Sequence, residues 1–138
     1  MQKLLIDTNI WIDWINQGNY EHLLLDKGVV KYLSSIVLME LYAGAYKPKD
    51  TKQVDQLVLP FQRTQRIINP TIENYREAGR IMAKLKDRHG FQTKKTVGLS
   101  HDILIALTAR GIGATVLTAN RNDFEMIQSF SSFYLQVV

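Results

Sequence analysis

The stretch KLLIDTNIWIDW, residues 3–14, contains the change of pattern that sets the fold. An apolar run ends in Asp7, and an amphipathic segment begins directly after it. Residues 2–6 predict a buried strand and residues 8–17 predict a helix. A carboxylate at such a junction either caps the helix or binds a ligand. Residues elsewhere in the chain are needed to distinguish these two roles.

The same alternation of short apolar runs and helical segments continues along the chain. Further strands are predicted at 29–33, 66–68, 114–118 and 133–138, and further helices at 19–28, 36–46, 50–64, 71–88 and 100–111. Strands that alternate with helices are typical of the α/β class. We therefore expect a three-layer α/β/α domain with a central parallel sheet of about five strands.

Proline and glycine predict where several of these helices begin and end. Asn69 and Pro70 suit a cap followed by proline in the first helical turn. Gly90 should end the helix that follows them. Pro60 lies inside a predicted helix and should kink or break it, because proline lacks the N–H that a helix interior needs.

Length and composition indicate one globular domain over residues 1–138. The chain is 46% hydrophobic and 22% charged, and it contains no cysteine for a disulfide or a thiolate metal site. Its apolar runs are shorter than the roughly 20 residues that span a bilayer. Asp7 and Asp13 also interrupt the first apolar segment, which argues against a signal peptide. We expect a cytoplasmic protein without a membrane segment, whose net charge of +4 slightly favours polyanionic partners.

Four acids lie in places where local sequence does not explain them fully. The positions three and four residues from Glu40 are apolar or glycine, so a carboxylate there has no local ion pair unless it is simply exposed. Asp102 could stabilise the first turn of an otherwise apolar helix through the helix dipole. Asp123, in NRND, could serve ordinary turn and cap chemistry.

Taken together, the four acids favour a shared site. Asp7 and Asp123 follow predicted strands, while Glu40 and Asp102 lie on apolar helices that can pack against those strands. Parallel sheets bind ligands beyond the carboxyl ends of their strands. Two carboxylates about 4 Å apart repel by about 4 kcal/mol at an effective dielectric of 20, so a cluster needs protons or cations. Oxygen ligands select Mg²⁺ or Mn²⁺, which can activate water for displacement at phosphorus.

Three segments of the chain resemble one known family. They are LLIDTNIWID at residues 4–13, SSIVLMELYAG at 34–44 and LSHDILIALTARGIGATVLTANRNDF at 99–124. Their order, their spacing and the chain length are similar to those of PIN-domain ribonucleases, in particular the VapC-like toxins of bacterial and archaeal toxin–antitoxin pairs. The resemblance implies a PIN-like domain over most of the chain.

The resemblance also implies a site and a function. Its catalytic and metal-binding residues would be Asp7, Glu40, Asp102 and Asp123, with Asp123 at the position that varies most in the family. They would bind Mg²⁺ or Mn²⁺ and hydrolyse RNA with a metal-activated water, leaving a phosphate on the 5′ end of the 3′ fragment. A homodimer and a cognate antitoxin protein are implied partners.

Several neighbouring polar residues match family positions that orient the acids or water. They are Thr8, Asn9, Thr118 and Asn120. His101 is a departure, because relatives often carry Asn there, and it could contact substrate or simply pack. DNA cleavage stays open as well. The alternative to an enzyme is a non-catalytic PIN-like module that binds RNA or protein.

A basic segment precedes the last of these motifs. Residues 84–95 contain five Lys or Arg against one Asp, with Phe91 between them. This segment could bind RNA phosphates while Phe91 stacks on a base, or it could be a solvated helix end and loop. Arg76 and Arg80 should pair with Glu73 and Glu77 on their own helix.

Overall fold

A computed structural model of the protein describes residues 1–90 and 93–138. Its sheet has five strands, all parallel, in the order β3-β2-β1-β4-β5. The strands are β1 Gln2–Ile6, β2 Val29–Ser34, β3 Ile67–Ile68, β4 Thr115–Thr118 and β5 Tyr134–Val137. The predicted parallel sheet of about five strands is therefore confirmed.

Helices connect the strands and cover the sheet in a three-layer α/β/α arrangement, which confirms the predicted fold class. Those in the described residues are α1 Thr8–Gln17, α2 Glu21–Leu24, α3 Ser35–Ala43, α4 Pro48–Arg63, α5 Ile72–His89, α6 Thr93–Gly98, α7 Ser100–Gly111 and α8 Arg121–Gln128. Within the described ranges, no helix is both long and apolar enough to cross a membrane.

The strand order places a topological switch point at the centre of the sheet. From β1 the chain proceeds through β2 to β3 on one side, and then returns to form β4 on the other side of β1. Leu4 pairs with Lys31 of β2 and with Thr115 of β4. Connections that leave neighbouring strands in opposite directions open a crevice beyond the strand ends. Here that crevice lies past Ile6 and Thr118.

The core holds this edge rigid. Leu5 and Ile6 of β1 and Leu117 of β4 are completely buried. The run Ile103–Ala109 of α7 is buried on all sides of the helix, as its apolar sequence predicts. Each Leu or Ile so buried contributes about 1.5–3 kcal/mol relative to an exposed one. The elements β1, β4 and α7, which border the crevice, are thus anchored in the buried core.

Two predicted helix features are wrong. Thr71, and not Asn69, caps α5: its hydroxyl accepts the N–H of Asn74 at 3.0 Å, and the Asn74 side chain accepts the N–H of Thr71 at 3.0 Å. This reciprocal pair satisfies two N-terminal donors, more than a cap by Asn69 alone. Pro60 does not break α4, which continues to Arg63 because buried side chains on both sides of it pack against the core.

Other segments differ from the prediction in length. The helix predicted at 19–28 is a single turn, α2, while α6 and α8 form where a loop and a turn were expected. Gly90 ends α5 in the left-handed conformation with φ 60°, as predicted. Phe91 lies outside the described residues.

The predicted ion pairs on α5 are correct only in part. Arg76 and Arg80 both contact Glu73. Glu77 instead binds Arg110 of α7 and also lies near Ser131. The pairing of Glu77 therefore joins α5 to α7 and does not stabilise α5 alone.

Candidate active site

Asp7 lies at the centre of the crevice, directly past β1. Its main-chain N–H donates to the carbonyl of Leu117 at 2.9 Å, which extends the β1–β4 ladder by one residue. Its Oδ1 accepts the N–H of Thr8 at 2.8 Å, and its Oδ2 accepts the hydroxyl of Thr118 at 2.8 Å. The side chain is 5% exposed. Asp7 does cap α1, but capping alone explains only one of its two oxygens.

Glu40 projects from the middle of α3 toward the same crevice. The hydroxyl of Thr8 donates to its Oε1 at 2.7 Å, and Nδ1 of His101 lies 3.4 Å from its Oε2. These contacts come from α1 and α7, far away in sequence. The carboxylate without local partners is therefore held by residues of two other helices.

Asp102 and Asp123 are joined by one amide. Nδ2 of Asn120 lies 3.0 Å from Oδ2 of Asp123 and 3.4 Å from Oδ2 of Asp102. The main-chain N–H of Asn120 donates to the Thr118 hydroxyl at 2.9 Å. Because that same hydroxyl donates to Asp7, the loop after β4 links three of the four acids.

The charges of the four acids are coupled. Burial raises the pKa of Asp102 to about 7, and the negative charges of Asp7, Asp123 and Glu40 contribute to the same increase. Burial also raises the pKa of Asp7; the hydrogen bonds from Thr118 and Thr8 oppose this increase, and the charge of Glu40 adds to it. Among the described residues, no Lys or Arg forms an ion pair with any of the four. The site therefore has an excess of negative charge.

The donor set fits a hard divalent cation in its chemistry. It consists of carboxylate, hydroxyl and amide oxygens, which are the ligands that Mg²⁺ and Mn²⁺ prefer. A cation would also relieve the mutual repulsion that raises the pKa of Asp102. However, in the part of the chain that the structure describes, no three acids or histidines are already grouped closely enough to bind an ion. Mg²⁺ usually keeps several waters and needs only one or two carboxylates, which these acids can supply.

The structure adds one residue that the sequence left undecided. His101 packs beside Glu40 with its side chain 45% exposed, next in the chain to Asp102. Its position in the first turn of α7 was visible in the sequence, but the partner 61 residues away was not. Asn9 contacts the loop after β4, since its Oδ1 accepts the N–H of Ala119 at 3.4 Å.

Comparison with known proteins agrees with this fold. The sequence model of the PIN domain matches residues 4–128, which is most of the chain. The protein therefore belongs to the PIN-domain family. PIN and VapC-like proteins are nucleases that generally use divalent metal ions, so family membership supports a nuclease. No curated protein matches the chain closely enough to count as a relative.

Solved structures are similar over the whole chain. One is the structure of VapBC2 from Rickettsia felis bound to a DNA fragment from its promoter. The matched chain has 26% identity and a TM-score of 0.69, with 99% of both chains covered. DNA-bound VapBC from Salmonella typhimurium has 26% identity and a TM-score of 0.70, with 99% and 98% covered. VapBC-5 from Mycobacterium tuberculosis, at 17% identity and a TM-score of 0.67 with 100% of both chains covered, shows the likeness of fold alone.

Proposed function

We propose that the protein is a metal-dependent endoribonuclease and the toxin component of a toxin–antitoxin pair. The observation that carries this proposal is the convergence of four carboxylates at the switch point. Thr118 and Asn120 link Asp7, Asp102 and Asp123, and Thr8 contacts Glu40 beside them. A group of like charges without cationic partners lowers the stability of the folded protein. Such a group is typical of a functional site, here one that binds cations.

In this proposal Asp7, Glu40, Asp102 and Asp123 hold the ion. When bound, Mg²⁺ or Mn²⁺ supplies positive charge that neutralises the acids and the phosphate and makes water a better nucleophile. The oxygen of water forms a bond to phosphorus, the bond to the 3′ oxygen breaks, and a proton passes to that oxygen. The products are a 3′ hydroxyl and a 5′ phosphate.

The polar neighbours keep the acids in place for this reaction. Thr118 orients Asp7, Thr8 orients Glu40, and Asn120 holds Asp102 and Asp123 together. Because the N–H of Asn120 also donates to the Thr118 hydroxyl, Asp7, Asp102 and Asp123 are held by one hydrogen-bonded loop. Preorganised side chains of this kind reduce the reorganisation required during the reaction.

The proposed antitoxin partner is supported by the solved structures. The two chains at 26% identity come from VapBC complexes and are covered almost completely by this chain. We therefore propose a cognate antitoxin protein as inhibitor. From the family resemblance we also propose RNA as substrate, a homodimer and a cytoplasmic location.

A second candidate is a PIN-like module that binds RNA or protein without cleavage. It is favoured by one observation: both oxygens of Asp7 already have hydrogen-bond donors, and no preformed group of three ligands is present in the described residues. Under this proposal Asp102, whose pKa burial raises to about 7, would be partly protonated at neutral pH, and the acids would bind no ion.

One experiment separates the two candidates. The pure protein is incubated with mixed cellular RNA in Mg²⁺, in Mn²⁺ and in EDTA, beside Asp7→Asn and the exposed control Asp87→Asn. We expect discrete, metal-dependent cuts by the wild type and Asp87→Asn, and none by Asp7→Asn. Thermal stabilisation by metal is measured on the same samples. Absence of cleavage, with an equal metal response in all three proteins, would contradict the metal site and favour the binding module.

A further inference from the structure

His101 has one ring nitrogen that the fold does not use. Its Nδ1 lies 3.4 Å from Oε2 of Glu40. Its Nε2 has no hydrogen-bond partner among the described residues. Nor is Nε2 one of their buried unpaired side-chain nitrogens, which belong to Trp11 and Arg66. Because the His101 side chain is also 45% exposed, Nε2 is open to solvent.

The location of His101 puts this open nitrogen beside the four acids. The ring contacts Glu40 of α3, and the next residue of α7 is Asp102. Asn120 then links Asp102 to Asp123. In a nucleic acid each internal phosphate is joined directly to a sugar on both sides. A phosphate bound at the acids would therefore bring a sugar next to His101.

The contact with Glu40 determines which hydrogen-bond role is left to Nε2. A carboxylate only accepts hydrogen bonds, so Nδ1 of His101 faces Glu40 with its N–H. In a neutral imidazole the other ring nitrogen is then an acceptor. Phosphate oxygens cannot donate to it, whereas the 2′-hydroxyl of ribose can donate as well as accept. On a sugar–phosphate backbone, Nε2 therefore has a partner in RNA and none in DNA.

We propose that His101 is a specificity-determining residue whose Nε2 recognises the 2′-hydroxyl of a nucleotide next to the cut. The inference rests on the proposed nuclease function and names the residue that distinguishes ribose from deoxyribose. Glu40 orients the imidazole from one side. The hydroxyl of Thr8 donates to the other oxygen of Glu40 at 2.7 Å, which keeps the carboxylate and the ring in place.

The assay compares an RNA with its 2′-deoxy counterparts. An oligoribonucleotide that spans one of the cuts found in cellular RNA is prepared unmodified, and with a single 2′-deoxy nucleotide on either side of the cut. For the wild type, we expect one of the two deoxy substitutions to lower kcat/KM by about threefold to tenfold, which corresponds to one hydrogen bond.

Variants of His101 separate sugar recognition from positioning of Glu40. An Asn amide can still donate to Glu40 but does not extend to the place of Nε2. His101→Asn should therefore slow cleavage of the unmodified RNA about threefold to tenfold, leave cleavage of the sensitive deoxy substrate unchanged, and so remove the difference between them. His101→Gln, with a longer side chain, should restore part of that difference. The matched control His22→Asn, at an exposed histidine of α2, should keep all of it.

Two results would overturn the inference while the proposed nuclease stands. One is equal cleavage of the unmodified and deoxy substrates by the wild type. The other is an equal loss on both substrates in His101→Asn, because His101 would then act only through Glu40.

Absence of any cleavage by the wild type would instead contradict the proposed function, and binding then tests the inference. Fluorescence anisotropy in EDTA compares decauridylate with the same oligomer of deoxyuridine. A preference for the RNA oligomer that His101→Asn removes and His22→Asn keeps would support the inference. Absence of such a preference, or its persistence in His101→Asn, would overturn it.

Discussion

Replacement of Asp102 by Asn should stabilise the metal-free protein at neutral and alkaline pH. Asn has nearly the same shape, and its side-chain oxygen can still accept from Asn120, which lies 3.4 Å from Oδ2 of Asp102. The substitution removes the negative charge that burial and the charges of Asp7, Asp123 and Glu40 disfavour. We therefore expect the loss of a candidate ligand to increase the free energy of unfolding.

The sign and size follow from the pKa of Asp102. Burial and the neighbouring charges raise this pKa from 3.8 to about 7 in the folded protein. As the pH rises from about 4 to about 7, the unfolded state releases this proton first, so the free energy of unfolding falls. A pKa change of this size corresponds to about 4 kcal/mol at most. Because Asp102 keeps some contact with solvent, which screens the charge, we expect about 2 kcal/mol.

Other carboxyl groups do not mask the effect of Asp102 on the free energy of unfolding above about pH 5. Burial raises the pKa of Asp7, so its contribution has the same sign as that of Asp102. Hydrogen bonds from arginine lower the pKa values of Glu73 and Glu77 below 4.5, so their contributions are lost only as the pH falls below that value. The interval above about pH 5 therefore reports the crowded acids.

Urea unfolding in EDTA, followed by tryptophan fluorescence between about pH 5 and pH 8, measures the effect. The wild type should lose stability as the pH rises, Asp102→Asn should lose less, and the exposed control Asp87→Asn should follow the wild type. Added Mg²⁺ should stabilise the wild type more than Asp102→Asn. The reasoning is refuted if wild-type stability rises over this range, or if Asp102→Asn is no more stable than the wild type at pH 8.

Three further predictions concern the supports of the site and the fold. Thr118→Val leaves Oδ2 of Asp7 without its donor and should cost about 1–3 kcal/mol in urea unfolding at pH 7, with RNA cleavage reduced as well; an unchanged midpoint would contradict the role given to this hydroxyl. Thr71→Ala should cost about 1 kcal/mol in thermal unfolding, whereas Asn69→Ala should cost almost nothing; the reverse order would restore Asn69 as the cap. Leu5→Ala should cost about 2–5 kcal/mol by the same unfolding assay, and a cost below 1 would mean that the centre of the sheet adapts to the cavity.

The strands and long helices were predictable because their signals are local. The apolar run at 2–6 and the apolar helix 100–111 coincide with β1 and α7, since burial acts on each segment as a whole. Short elements were not predictable in this way. α6 and α8 have few residues over which a helical period can show, and the packing of α4 against the core overrides the effect of Pro60.

The candidate site likewise has one part that the sequence predicted and another that depends on the fold. The sequence places Asp7 directly after a predicted strand. The strand order then explains why residues after β4 lie close to Asp7, because β1 and β4 are neighbours in the sheet. The detailed contacts depend on distances across the fold. The sequence could not predict that Asn120 contacts Asp102, which is 18 positions away, as well as Asp123. Nor could it predict that His101 contacts Glu40, which is 61 positions away.

The central position of the first strand has a consequence for synthesis. β1 is synthesised before β4, which covers its second side and supplies the carbonyl of Leu117 to Asp7. A nascent polypeptide therefore carries an incomplete acidic crevice until β4 has been made, because domains generally fold as units. For a member of a nuclease family, this order of assembly delays completion of the candidate site until β4 and the residues after it have been made.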